Sequence, residues 1–158
     1  MSMATLTSPF TSMQASTPGP SGAEVIVVRP KAEIMSRQSL PFFVGVSQAT
    51  TGARGISMNM VVIPPAGAAE PHSHRGYETA IYVMKGEIMV RHGEGLRDTT
   101  FIQAGDFVFM PAYMPHSPVN VSSTEPALCI VARNDANEQE NVEVFHSHTH
   151  GEGHSHSH

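Results

Sequence analysis

Two separated clusters of potential metal ligands constrain the fold of this chain more than any other feature. His72, His74 and Glu78 form the first cluster, and His116 lies in a later segment. Side chains alternate along an extended strand, so His72 and His74 face the same side, and Glu78 would return to it if the strand continued. An interior that also receives His116 is typical of an antiparallel barrel, in which alternate positions point inward. The pattern therefore predicts an all-β fold.

The chemistry of these four side chains predicts a site for a divalent transition metal. Three neutral imidazoles and one carboxylate suit Mn, Fe, Ni or Zn, whereas Ca and Mg favour shells made wholly of oxygen. Because four protein groups leave positions open on an octahedral ion, the set is typical of a catalytic rather than a structural site. With such an ion the first shell would carry a net charge of about +1, which favours an anionic or enolisable oxygen substrate.

The first cluster resembles one of the two sequence motifs of the cupin superfamily. That motif has glycine, five residues, His-x-His, three or four residues, glutamate, six residues and glycine. The corresponding residues here are Gly67, His72, His74, Glu78 and Gly86. The spacers after Gly67 and before Gly86 each differ by one residue from the pattern.

The second cluster resembles the other cupin motif, which has glycine, five residues, Pro-x-Gly, two residues, histidine, three residues and asparagine. Here the residues are Gly105, Pro111, Tyr113, His116 and Asn120. Tyr113 replaces a glycine, and a tyrosine pays a steric penalty at positive φ that glycine does not. The chain is similar to the small single-domain RmlC-like cupins. This resemblance implies a jelly-roll barrel with His72, His74, Glu78 and His116 as metal ligands.

The resemblance leaves the activity open, because cupins include enzymes, storage proteins and ligand sensors. A dioxygenase would bind an enediol, diketone or catechol-like substrate beside a redox-active metal. An isomerase or lyase would use the metal as a Lewis acid together with a base that removes an α-proton. A non-catalytic small-molecule or metal-binding protein is the third alternative.

The tyrosines near the motifs are the candidate bases for the second of these mechanisms. Tyr77 lies beside Glu78, Tyr82 has the parity of Glu78 and is predicted to face the site, and Tyr113 lies in the second motif. A phenol with a reference pKa of about 10 is a weak base at neutral pH. No other His, Asp or Glu is clearly placed inside the predicted barrel, so we favour the dioxygenase and assign candidate catalytic roles to Tyr82 and Tyr113.

Composition argues against several classes of partner. The chain has a formal charge of -5 and no cluster of basic residues, whereas binding to nucleic acid or to anionic membranes needs a basic patch. Cys129 is the only cysteine, so no intramolecular disulfide is possible and a reducing compartment is expected. No apolar run approaches the length of a membrane span. Without the features of a signal peptide, the sequence predicts a cytoplasmic protein whose partner is a small-molecule substrate.

The chain divides into three predicted regions. Residues 1–22 are rich in Ser, Thr and Pro and predict a flexible arm, and residues 23–145 would form the barrel. Residues 146–158 contain six of the ten histidines and predict a disordered tail, whose metal affinity is either incidental or used to collect metal. Small cupins commonly dimerise by exchanging N-terminal strands, so the resemblance implies a homodimer that uses residues 23–46.

Hydrophobic alternation predicts the individual strands. They are expected at residues 23–28, 57–63, 78–84, 86–92, 99–103, 106–110, 116–121, 127–133 and 141–145. We expect one or two helical turns within residues 31–38 and a hairpin turn at Ala104 and Gly105. His92 is predicted to be a surface histidine in a turn.

Overall fold

The computed structural model describes residues 24–137, 139 and 141–145, and nearly all of its regular structure is antiparallel strand. The strands are β1 Ile34–Met35, β2 Pro41–Val46, β3 Ser57–Ile63, β4 His72–His74, β5 Thr79–Lys85, β6 Glu87–His92, β7 Asp98–Gln103, β8 Phe107–Met110, β9 His116–Asn120, β10 Ala127–Arg133 and β11 Val142–Val144. One short helix, α1, spans Gln48–Thr51, and a 3-10 turn spans Glu94–Leu96. The all-β prediction is confirmed. The predicted arm (1–22) and histidine-rich tail (146–158) lie outside the described residues.

The strands form two antiparallel sheets that enclose one core. The larger sheet has the order β1-β2-β3-β10-β5-β8 and the smaller one has the order β11-β4-β9-β6-β7. The buried side chains of both sheets meet in a single apolar cluster that includes Ile63, Val83, Ile88 and Ala127. This burial supplies the main favourable free energy of folding. The neighbouring strands β4 and β9 of the smaller sheet direct their histidines into the interior beside this cluster.

The chain crosses between the sheets several times, and at two of these crossings a glycine adopts the same positive φ. Gly86, at φ +96°, joins β5 to β6, and Gly105, also at φ +96°, lies between β7 and β8. The predicted hairpin at Ala104 and Gly105 is therefore wrong, because β7 pairs with β6 in one sheet and β8 pairs with β5 in the other. Local alternation identified both strands but carried no information about their partners.

The polar residues of β3 face inward and its methionines face outward. Ser57 and Asn59 are buried, whereas Met58 is half exposed. The Oδ1 atom of Asn59 accepts a hydrogen bond from the backbone N–H of Gly45 at 3.0 Å. The inward polar face of this strand thus ties it to β2.

The strand predicted at residues 23–28 is not formed by the described residues of that segment. Residues 24–30 belong to no strand, and Val25 is 95% exposed. The helical turns predicted within residues 31–38 are wrong, since β1 lies there and pairs with β2. Among the described residues, no helix has the length and apolar character needed to cross a membrane.

Candidate metal centre

Three of the four predicted ligands converge inside the barrel. His72 and His74 occupy both ends of β4, and His116 begins the neighbouring strand β9, where it pairs directly with His72. Their potential ligand atoms all lie within 4.8 Å of one another, and the three side chains are buried. The ring centroids of His72 and His116 are 4.2 Å apart. Two distant stretches of sequence therefore form one cluster of imidazoles.

Each imidazole is held through its Nδ1 atom. The Nδ1 atoms of His72 and His116 lie 2.7 Å from the carbonyl oxygen of Glu70 and 2.8 Å from that of Met114. Because a carbonyl only accepts, these two Nδ1 atoms carry the proton and both Nε2 atoms keep their lone pair. The Nδ1 atom of His74 lies 2.9 Å from the Oγ1 atom of Thr79. Oxygen partners of this kind orient histidine ligands and fix their tautomer in metal sites.

The buried environment keeps the three imidazoles neutral. Burial, followed by the charge of His116, lowers the pKa of His72 from 6.5 to about 3. Burial also lowers the pKa of His116 to about 4, against the raising effect of its hydrogen bond to Met114. For His74, burial and then the charge of Arg133 lower the pKa still further. At neutral pH all three side chains are therefore in the form that binds a metal.

The residues present fit a metal ion. The Nε2 atom of His74 is buried and has no hydrogen-bond partner within the described part of the chain. Leaving such an atom unpaired costs about 1–3 kcal/mol, so a ligand for it is expected. The donor set of three neutral nitrogens without a thiolate suits a divalent transition metal.

The histidines line a small and mostly aliphatic cavity. Its volume is about 60 Å³. The polar side chains that share its wall with the histidines are Gln38, Thr79 and Arg133. Most of the other lining residues are Val, Ile or Leu from both sheets, among them Val61, Ile88 and Val131. The cavity therefore has one chemically active region in an otherwise apolar interior.

Glu78 does not join the histidines. The prediction that its carboxylate faces the same interior is wrong, because its side chain is exposed and its backbone N–H donates to the Oδ1 atom of Asn134 at 2.8 Å. The parity prediction assumed one strand from His74 to Glu78. In the structure β4 ends at His74, Gly76 turns the chain at φ +78°, and β5 begins in the other sheet at Thr79.

Thr79 occupies the inward position that Glu78 was predicted to fill. It is 1% exposed, and its hydroxyl contacts His74. A signal for this position was present in the sequence, since the cupin motif allows three or four residues between the second histidine and the glutamate. The longer spacing after His74 leads to Thr79. The cluster therefore contains three imidazoles and no carboxylate among the described residues.

Neither candidate catalytic tyrosine lies in the cavity wall. The prediction that Tyr82 faces inward is wrong, because the phase of β5 buries Val83 and turns Tyr82 outward, where its ring packs 4.8 Å from that of Phe107. Tyr113 is 64% exposed and adopts φ +64°, while its backbone N–H donates to the carbonyl of His74 at 2.8 Å. Tyr113 thus takes the glycine-like conformation of the motif and supports β4 through its backbone.

The structure places several further residues near the site in contacts that the sequence did not predict. Tyr77 is buried and stacks on His74, with ring centroids 5.0 Å apart. His92, predicted to be a surface histidine, is half-buried and pairs across the strands with His116. Gln38 and Arg133 reach the cavity from segments far from the histidines. Alternation in a single strand could not reveal these contacts, because they depend on which strands become neighbours.

Cys129 also lies in the wall of the cavity. It is buried, and burial raises the pKa of its thiol from 9.0 to about 11. At neutral pH the sulfur therefore stays protonated and is a poor nucleophile. This agrees with the role of a small core residue.

Comparisons with known proteins agree with the two motifs and the fold. The cupin domain model matches residues 59–133. Germin-like protein 3-1 of Oryza sativa subsp. japonica is 30% identical over 88 residues, which are 52% of this chain and 37% of that protein. Oxalate oxidase GF-2.8 of Triticum aestivum is 34% identical over 93 residues, which are 55% of this chain and 41% of that protein. The matched region is thus less than half the length of these relatives.

Solved structures give the same result. Oxalate oxidase in complex with the substrate analogue glycolate aligns with a TM-score of 0.58 and 26% identity, covering 69% of this chain and 56% of that chain. A Lactobacillus farciminis oxalate decarboxylase in a formate complex aligns with a TM-score of 0.61 and 21% identity over 72% of this chain and 33% of that chain, a likeness of fold alone. Together with the two motifs and the antiparallel barrel, these matches show that the chain belongs to the cupin superfamily.

Proposed function

We propose that this cupin is a metal-dependent enzyme that acts on a small oxygenated organic molecule, with dioxygenase-type chemistry favoured. The observation that carries the proposal is the convergence of His72, His74 and His116 on one buried cavity. These residues would hold a divalent transition metal such as Mn, Fe, Ni or Zn through their Nε2 atoms. When bound, a redox-active ion would supply activation of dioxygen, and a redox-inert one would polarise a carbonyl group.

The charge of the site favours an anionic substrate. Three neutral imidazoles leave a divalent ion with its full charge of about +2, instead of the charge of about +1 expected with Glu78 as a fourth ligand. Arg133 lies in the wall of the same cavity and adds positive charge there, which contributes to the lowered pKa of all three histidines. A carboxylate or enolate would therefore be attracted into the cavity.

The remaining cavity residues favour oxygen-dependent chemistry over proton abstraction. No carboxylate is among the described side chains that line the cavity, and the thiol of Cys129 stays protonated at neutral pH. The hydroxyl of Thr79 already contacts His74. An isomerase or lyase needs a base within reach of the substrate. Among the described residues that line the cavity, only the three histidines could act as such a base, and they are the proposed ligands.

The size of the cavity and the solved relative support a small organic acid. A volume of about 60 Å³ has room for roughly four to six water-sized groups, at about 10–15 Å³ each. The oxalate oxidase that aligns at 26% identity binds the substrate analogue glycolate. Both observations favour a compact ligand.

The proposal is tested by metal content and by oxygen uptake. The experiment uses the 158-residue chain with serine in place of the six histidines of residues 146–158, so that metal bound by these histidines does not contribute to the measurement. We expect one ion per chain by elemental analysis, loss of that ion in His116→Ala, and its retention in the matched control His92→Ala.

Oxygen uptake with one of a panel of small organic acids would support the dioxygenase. Conversion without oxygen uptake would favour an isomerase or lyase, and absence of any conversion a non-catalytic binder.

We also propose that the protein is a homodimer. Large apolar side chains cover the outer face of the larger sheet: Phe107 is 85% exposed, Phe109 63% and Met84 48%. An apolar groove lies between residues 28–31 and this face. A second copy would cover such a surface and give residues 24–30 a strand to pair with.

The cytoplasmic location, and the absence of nucleic-acid and membrane partners, stay predictions from the sequence.

A further inference from the structure

Gln38 reaches the cavity from a segment outside the region matched by the cupin domain model. It precedes β2 and is 4% exposed, and its side chain lines the same cavity as the three histidines. Its backbone carbonyl accepts a hydrogen bond from the N–H of Glu70 at 3.0 Å, just before β4 begins. The position of Gln38 is thus coupled to the strand that carries His72 and His74.

A tight turn holds Gln38 in place. The hydroxyl of Ser36 accepts a hydrogen bond from the N–H of Leu40 at 3.0 Å, and the N–H of Ser36 donates to the carbonyl of Leu40 at 2.9 Å. Ser39 completes the turn at φ +64°, a conformation that is uncommon for residues other than glycine. These hydrogen bonds hold the backbone on both sides of Gln38, and the buried side chain lies in the cavity wall.

The amide of Gln38 has unused hydrogen-bonding capacity. Its Oε1 atom is buried and has no hydrogen-bond partner within the described ranges. A half-turn about the last side-chain torsion would present the amide NH2 group at the same place, so the side chain can accept or donate there. An unsatisfied buried amide is unfavourable for stability, and such groups in a cavity indicate a ligand that satisfies them.

We propose that Gln38 is a substrate-binding residue that donates a hydrogen bond from its amide to a small aliphatic carboxylate bound at the three-histidine site. This inference rests on the proposed function, because it requires a metal at His72, His74 and His116. The positive centre selects the carboxylate, the amide orients it, and the aliphatic wall and small volume limit its carbon chain. The structure thereby assigns substrate selection in part to the N-terminal segment, outside both cupin motifs.

The test measures acetate binding to the cobalt-loaded protein by visible absorption. It uses the 158-residue chain with the tail histidines replaced by serine, so that cobalt is bound only at the three-histidine site. The visible absorption of Co(II) bound to three histidines changes when its coordination changes. Gln38→Met removes the hydrogen bond at nearly constant volume, and Gln38→Glu replaces the donor by a negative charge. Gln103→Met makes the same chemical change at an exposed position of β7 and serves as the control.

We expect saturable acetate binding in the parent and in Gln103→Met. Gln38→Met should weaken it by roughly tenfold or more, as for the loss of a hydrogen bond to a charged group. Gln38→Glu should weaken it further through repulsion, while cobalt content and melting temperature stay those of the parent.

Equal acetate affinity in both Gln38 variants and the parent would overturn the assignment, as would a cobalt-loaded parent that binds no acetate. Failure of the parent to bind cobalt would instead contradict the proposed metal site itself. If Gln38→Met does not fold, Gln38→Glu and the parent still decide the matter, because an affinity unchanged by an added negative charge excludes contact with the carboxylate.

Discussion

At the scale of single residues, the donor set depends on one position after a turn. Glu78 and Thr79 are neighbours in sequence, yet only Thr79 is buried, and its hydroxyl contacts the Nδ1 atom of His74. The site consequently contains three neutral imidazoles. A bound divalent ion would keep more of its charge than it would with a carboxylate ligand, which bears directly on the kind of substrate attracted.

The contact between Thr79 and His74 gives the first prediction. Thr79→Val keeps the shape of the side chain and removes the hydroxyl, so we expect metal affinity to fall by roughly 10–100-fold, as for other partners of histidine ligands. Thr79→Ser should retain most of the affinity. Affinity is measured by competition with a coloured chelator. Glu78→Gln should leave it unchanged, and a large loss in that variant would contradict the placement of Glu78 outside the site.

At the scale of secondary-structure elements, the crossing from β5 to β6 decides which face of each strand is buried. Gly86 makes this crossing at φ +96°, and a Cβ atom added there would lie 2.9 Å from the Cβ atom of Ala127. Ala127 is fully buried in β10, which pairs with β5. The crossing is therefore restricted both by backbone conformation and by packing.

We predict that Gly86→Ala destabilises the protein by about 2–3 kcal/mol, since it adds a positive-φ penalty of about 1–2 kcal/mol to an overpacked contact. Gly55→Ala is the matched control, because a Cβ atom there meets nothing within 4 Å. The free energy of unfolding is measured by urea denaturation. Equal stability of the two variants would show that the backbone at residue 86 can relax.

At the scale of the whole molecule, enclosing three imidazoles between two sheets couples stability to pH. The pKa of His72 is lowered to about 3 and that of His116 to about 4, mainly by burial. Below the unfolded-state value of 6.5, the unfolded chain takes up protons that the folded, metal-free protein cannot bind. The stability present above pH 6.5 is therefore lost as the pH falls toward the folded-state values.

For the metal-free protein, His72 and His116 should each remove about 2 kcal/mol of stability between pH 7 and pH 5, at 1.36 kcal/mol per pKa unit. Urea denaturation in the presence of a chelator measures this change. In His116→Gln the decrease should be smaller by about 2 kcal/mol, because glutamine does not titrate. A decrease of the same size in the variant would contradict the lowered pKa of His116.

The proposed dimer gives a prediction at the same scale. Phe107→Asp places a charge on the apolar outer face of the larger sheet, and we expect it to yield a monomer by light scattering. Phe101→Asp is the control, because Phe101 is similarly exposed at 61% but lies in β7 of the smaller sheet. A parent protein that is monomeric at all concentrations would contradict the proposal.

Features that depend on local geometry were predictable from the amino-acid sequence alone. Alternation predicted β3 and β10 with their observed bounds, and the His-x-His spacing predicted that His72 and His74 share a side. Which residue after Gly76 faces inward depends on the fold, because the turn interrupts the two-residue period and a new alternation begins in another sheet. The fold also brings Gln38 to the cavity wall. Contacts between such distant segments depend on the order of strands in the sheets, which the alternation of residues within one strand does not reveal.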